Sequence, residues 1–168
     1  PLLIAMKNNY VQVMKTLILF NADIYLKTKN GDTCLHMAAR EGYSKRVKFM
    51  IQELKMSPSR LNAQNENVLF VGLAHRSITQ IICDRAEDYK TLCRMVTVSN
   101  VKGKTVFHKV AENGNIESLL IFLQALRTKF AAQYANKENS CHILREFVYQ
   151  RLNEYDISTG YTPLHFAV

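Results

Sequence analysis

One pattern recurs along this chain and limits what it can fold into. Residues 31 to 42 run Gly-Asp-Thr-Cys-Leu-His-Met-Ala-Ala-Arg-Glu-Gly, and residues 103 to 114 run Gly-Lys-Thr-Val-Phe-His-Lys-Val-Ala-Glu-Asn-Gly. Both place a Thr two positions after the first Gly, a His three positions after the Thr, and a second Gly eleven positions after the first. The first copy thus holds Gly31, Thr33, Leu35, His36 and Gly42, and the second Gly103, Thr105, His108 and Gly114. A third copy opens at Gly160 with Thr162, Pro163, Leu164 and His165. Copies of this size are supersecondary units that bury an apolar face only against a neighbouring copy.

Each position has a physical reading. Gly31 and Gly103 follow Asn30 and Lys102 at tight turns, where positive φ suits glycine. Thr33, Thr105 and Thr162 stand at helix N-caps, and Pro163 falls in the first turn, where its missing N–H costs nothing. The first helix of each copy carries small residues, Ala38-Ala39, Ala111 and Ala167, which permit close approach. The second carries a wider apolar stripe: Val47, Met50, Ile51 and Leu54 in one copy, Leu119, Leu120, Phe122 and Leu123 in the other. His36, His108 and His165 recur with the scaffold and are read as structural hydrogen bonders.

These residues resemble the ankyrin repeat, whose unit is a turn followed by two antiparallel helices and whose signature is a Thr-Pro-Leu-His run. The resemblance implies an all-α solenoid of stacked helix-turn-helix repeats with hairpin-like loops. Residues 1–30 fit a first repeat through Pro1-Leu2-Leu3-Ile4-Ala5, Asn9-Tyr10, Val13-Met14, Leu17-Ile18 and Asn21-Ala22-Asp23-Ile24. Residues 31–64 form the second and 103–126 the fourth, and 160–168 open a truncated fifth. The distance from Gly31 to Gly103 leaves room for a degenerate copy over 65–102, with Val68-Leu69-Phe70 in the signature place. An insertion over 127–155 is expected to add a helix, since Ile143, Leu144, Phe147, Val148 and Leu152 fall at helical spacing.

As a resemblance, this implies a non-enzymatic module that binds another protein on its concave face and loop tips. The exposed contact positions it implies are Lys29, Asn30, Asp32, Arg40 and Glu41 in the second copy and Val101, Lys102, Lys104, Glu112 and Asn113 in the fourth. Ser158, Thr159 and Tyr161 complete the set. The irregular copies and the closing run from Asp156 to His165 resemble arrays of the inhibitor-of-kappa-B type, implying a Rel transcription factor or other signalling protein as partner. Pro1 to Ile24 also resembles the last repeats before the catalytic region of calcium-independent phospholipases. That implies the regulatory array of a larger enzyme, or the cytosolic array of a channel.

Other chemistries find little support. Lys and Arg total 22 against 14 Asp and Glu, a net charge of +8, but 11 basic residues fall in each half, so no basic tail exists. The cluster Arg40, Lys45, Arg46, Lys48, Lys55 and Arg60 is read as a solvated outer face in preference to a nucleic-acid site. No apolar run approaches the roughly 18 to 20 residues that cross a bilayer. Metal ligation lacks paired Cys or His spacing, and neighbours such as Cys141-His142 point apart on a helix. Gly103-Lys104-Thr105 imitates a phosphate loop but has Val98 where that motif needs glycine. Cofactors are therefore not expected. Cys34, Cys83, Cys93 and Cys141 are too few for a disulfide scaffold, which favours cytoplasm or nucleus. Pro1 in place of Met reads as a fragment of a longer protein.

Overall fold

The computed structural model describes residues 1–8, 10–134 and 140–166 and contains, among them, ten α-helices and no strand. Four helix pairs follow the repeat pattern: α1 (Leu2–Lys7) with α2 (Val11–Leu19), α3 (Cys34–Arg40) with α4 (Ser44–Gln52), α5 (Val68–Gly72) with α6 (Arg76–Arg85), and α8 (Val106–Asn113) with α9 (Ile116–Tyr134). Two helices stand outside the pairs, α7 (Tyr89–Thr97) and α10 (Ser140–Leu152), and Pro163–Phe166 forms a 3-10 turn. Of the positions read from sequence, Asn9 and Ala167 lie outside the described residues, as does the side chain of Cys141.

The first helices form one row, in which α1 packs on α3, α3 on α5, α5 on α8, and α8 on the 3-10 turn. The second helices form a row behind it, α4 against α6 and α6 against α9. Close approach in the front row comes from small residues. A Cβ placed on Gly72 of α5 would come within 2.5 Å of Ile78 and 3.3 Å of Ala39 on α3. Leu35, Ala38, Ala39, Val68, Leu69, Leu73, Ile78, Ile82, Val106 and Phe122 are at most 1% exposed, and they join the repeats into one continuous core.

Three features depart from the sequence reading. Residues 65–102 hold a third helix, α7, in addition to the degenerate pair. Asp88 caps it by accepting from Thr91 N at 2.7 Å, and Leu92, Met95 and Val96 bury its inner face. The fourth copy does not stop at residue 126, because α9 runs unbroken to Tyr134. Its buried stripe is Ser118, Phe122, Leu126 and Phe130, four residues apart, while Leu120 is 59% exposed. The length of α9 exceeds what one repeat needs, so its far end must be covered by something else.

Helices α7 and α10 provide that cover. Tyr89 meets Phe130 edge-on at 4.9 Å, Tyr134 at 6.1 Å and Phe147 of α10 at 6.3 Å. Offset and edge-to-face rings attract beyond their burial alone. Lys129 Nζ donates to the Ala86 carbonyl at 2.6 Å, closing the end of α6 onto α9. The added helices thus extend the core behind the stack, with Leu92, Met95 and Val96 buried in it and Tyr89 and Phe147 packed against it.

Candidate functional site: the finger row

Between second and first helices the chain makes four tight loops, or fingers, each pinned by its first residue. Thr28 Oγ1 accepts from Asp32 N at 3.1 Å. Asn62 Oδ1 accepts from Gln64 N and Glu66 N at 2.9 Å, and Asn100 Oδ1 from Lys102 N and Lys104 N at 3.0 Å. Asp156 Oδ1 accepts from Ser158 Oγ at 3.0 Å and Thr159 N at 2.5 Å. These pinning residues were not singled out from sequence. Their signal is the Asn62-x-x-Asn65 and Asn100-x-x-Gly103 spacing, in which Asn65 adopts φ 61° and takes the glycine place of the degenerate copy.

The fingers then join edge to edge. Asn30 O accepts from Ala63 N and Gln64 O from Val101 N, both at 3.0 Å. A Cβ on Gly31 would sit 2.4 Å from Ala63 N, and one on Gly103 would sit 2.5 Å from Ile157 N. The turn glycines therefore serve two needs, a left-handed φ (74° and 82°) and room for the next finger's backbone.

Each signature histidine locks a helix start to the following finger. His36 closes a capping box with Thr33, its ring standing where Glu or Gln usually does. Nδ1 accepts from Thr33 N at 3.3 Å, so the ring proton sits on Nε2, which donates to the carbonyls of Arg60 at 3.0 Å and Glu66 at 3.3 Å. His108 repeats the geometry with Thr105 and reaches the Tyr161 carbonyl at 3.2 Å. His165 caps through Thr162 on the exposed last turn, its ring stacked on Tyr161 at 5.4 Å.

This arrangement sets a pH dependence. Burial pushes the His36 and His108 imidazoles below their ordinary value of 6.5, and nearby carboxylates and carbonyls offset it only in part. As pH falls through about 6.5 the unfolded chain binds protons that the fold refuses, so stability drops from there downward until the folded values are passed. Asp32, Glu112 and Asp156, held low in the fold, lose their contribution only at more acid pH. Melting temperature is expected to decline between pH 7.5 and 5.5 in the native chain and to decline less in a His36→Gln/His108→Gln variant. A flat native profile over that window rules out neutral, buried imidazoles.

The positions expected at the contact surface divide into two groups. Lys29, Asn30, Arg40, Glu41, Val101, Lys102, Glu112, Asn113, Ser158, Thr159 and Tyr161 are exposed. Asp32 is not: it is 3% exposed, ion-paired with Arg40 and hydrogen-bonded from Asn62 Nδ2 at 2.9 Å. Burial pushes its carboxyl up, but the Arg40 and Asn62 hydrogen bonds together outweigh that and hold it below the usual carboxylate range. Lys104 is half-buried, its Nζ donating to Glu112 at 2.6 Å, so it belongs to a Lys104–Glu112–Lys109 cluster and not to an open tip. The basic cluster also loses one member from the outer face, since Arg46 is 8% exposed while Lys45 and Lys48 stay exposed. Asn30, Asp32, Arg40 and Glu41 do come together, around a groove of about 350 Å³ that Met6, Met37 and Tyr43 floor. The remaining positions are strung along the row and do not converge on a point.

A family model of ankyrin repeats matches residues 2–93, more than half of the chain, in three copies. The chain belongs to the ankyrin-repeat family. Ankyrin repeats are protein-binding modules, and the pinned fingers and capped first helices are how this ankyrin chain builds one. The match stops at 93, yet the ankyrin geometry continues through Gly103, Thr105 and His108 as described above. No curated protein matches the chain. Among the described residues no group of three or more His, Cys, Asp or Glu is placed to hold a metal ion, and no helix is long and apolar enough to cross a membrane.

Proposed function

We propose that the chain is a non-enzymatic adaptor that captures a partner protein along its finger row and the adjoining ends of its first helices. The observation that carries this reading is the unbroken backbone contact from Asn30 through Ala63 and Gln64 to Val101. It fixes the spacing of the exposed side chains Lys29, Asn30, Val101 and Lys102 before any partner arrives, which lowers the ordering cost of binding. Both ring nitrogens of His36 are engaged in holding that row, so the residue acts as scaffold. Lys102 beside the 60% exposed Val101, with Lys29 further along the same row, suits a partner that presents acidic and apolar side chains. Cys34, Cys83 and Cys93 are free thiols, the first two buried, which suits work in a reducing compartment, cytoplasm or nucleus.

The test is crosslinked capture from cytosolic and nuclear extracts, compared between surfaces. The expected result is a protein retained by the native chain and by a Lys48→Glu/Lys90→Glu variant on the opposite side, and lost with Lys29→Glu/Val101→Asp/Lys102→Glu at unchanged melting temperature. Equal retention by both variants places the binding surface elsewhere.

A further inference from the structure

Arg46 carries a buried charge that no carboxylate balances. The residue is 8% exposed, and among the described residues none of the ion pairs includes it. Its Nη1 donates to the Met6 carbonyl at 3.2 Å and approaches Met6 Sδ at 3.5 Å, while the guanidinium carbon lies 3.9 Å from the centre of the Tyr43 ring. These contacts fix the group in place and leave its charge uncompensated. A guanidinium offers five N–H donors, and a cation removed from water without an anion is costly.

The same side chain lines a groove of about 530 Å³ between α2 and α4, a size at which small ligands are held. The groove forms because α2 does not close on α4 as α4 closes on α6. Val11, Met14 and Phe49 give it an apolar wall, and Lys15 and Lys45 stand at it as two further cations. Lys45 and Arg46 occupy the first turn of α4, which has no acidic residue and no side-chain cap. Cations there oppose the helix dipole and repel one another, a cost that the Met6 and Tyr43 contacts of Arg46 offset without supplying a counter-charge. An anion would reverse the sign of both effects, and the dipole would then add to the attraction.

We propose that this groove binds a phosphate monoester carried on an apolar body, the phosphate between Arg46, Lys15 and Lys45 and the body against Val11, Met14 and Phe49. The site lies on the second-helix side, apart from the finger row, and it operates whether or not that row captures a protein. A phosphate suits three cations better than a carboxylate does, and the Arg46 fork can take two of its oxygens.

The probe is 1-naphthyl phosphate, titrated into the 168-residue chain at low ionic strength and followed by naphthyl fluorescence and amide NMR shifts. Inorganic phosphate and 1-naphthol serve as its separate halves. Expected is saturable binding at least about tenfold tighter than either half, with shifts centred on residues 11–15 and 42–49. Lys15 and Lys45 are exposed, so Lys15→Glu/Lys45→Glu should leave the melting temperature unchanged and weaken binding about tenfold or more. An Arg46→Met variant, used only if its melt is cooperative, should do the same. Undiminished binding by Lys15→Glu/Lys45→Glu, equal affinity for either half, shifts elsewhere, or no saturation each overturns the proposal.

Discussion

Replacing Gly31 by Ala should cost about 3 kcal/mol, the sum of a left-handed φ for a residue with a Cβ and an overpacked contact. The added methyl meets Ala63 N at 2.4 Å, a backbone atom that cannot swing aside. The fingers would have to separate, breaking the Asn30–Ala63 hydrogen bond and with it the spacing of the tips. Gly114→Ala is the internal comparison. Its φ is also positive, at 61°, but nothing lies within 4 Å of the place its methyl would take, so about 1 kcal/mol is expected. Urea unfolding of the two variants separates the backbone term from the stacking term. Equal losses would mean that the close approach of neighbouring fingers contributes nothing to stability.

Phe130→Ala should have an effect of similar or larger size in another place. Phe130 is 4% exposed, packs edge-on against Tyr89 at 4.9 Å and lies 4.7 Å from Tyr134. Truncating a buried phenylalanine to Ala costs about 3 to 5 kcal/mol. In a stack where each unit touches only its neighbours, that loss should stay local. Hydrogen exchange is expected to accelerate strongly in α7 and α10 and to stay near native values in α3 and the finger at Thr28 to Asp32. Capture of a partner through Lys29 and Lys102 should survive the substitution. Uniform acceleration across all helices would show that the rear core and the finger row form one cooperative unit.

Much of this architecture was legible in sequence, because its signals are local. A glycine turn, a Thr cap and a His three residues later report on the same few bonds wherever they occur, so Gly31, Thr33 and His36 predicted what Gly103, Thr105 and His108 would do. What escaped was set by partners far along the chain. Asp32 reads as an exposed loop residue until Asn62, thirty positions on, is found against it. Arg46 reads as one charge in a solvated run until the Met6 carbonyl, forty positions back, is found beneath it. Helix α7 is a different case. Asp88 followed by Leu92, Met95 and Val96 is an ordinary capped amphipathic pattern, and it is hidden because residues 65–102 read as one degenerate repeat copy, which has two helices. The extension of α9 past residue 126 had no stop signal to mark it, since no Gly or Pro falls between Ile116 and Tyr134.

The contacts between successive fingers persist while the length of chain between them grows: Asn30 reaches Ala63, Gln64 reaches Val101, and Gly103 reaches Ile157. Closing a longer flexible loop costs only about 0.6 kcal/mol for each doubling of its length. Sequence can therefore accumulate at the far end of the second helices with little penalty at the front, and α7 and α10 are two accretions of this kind that pack onto the back of the core. Grafting follows the same logic. A foreign helix or a reporter domain spliced in behind α6 or α9 should leave the recognition edge in register, whereas one added residue within a finger would shift every tip beyond it.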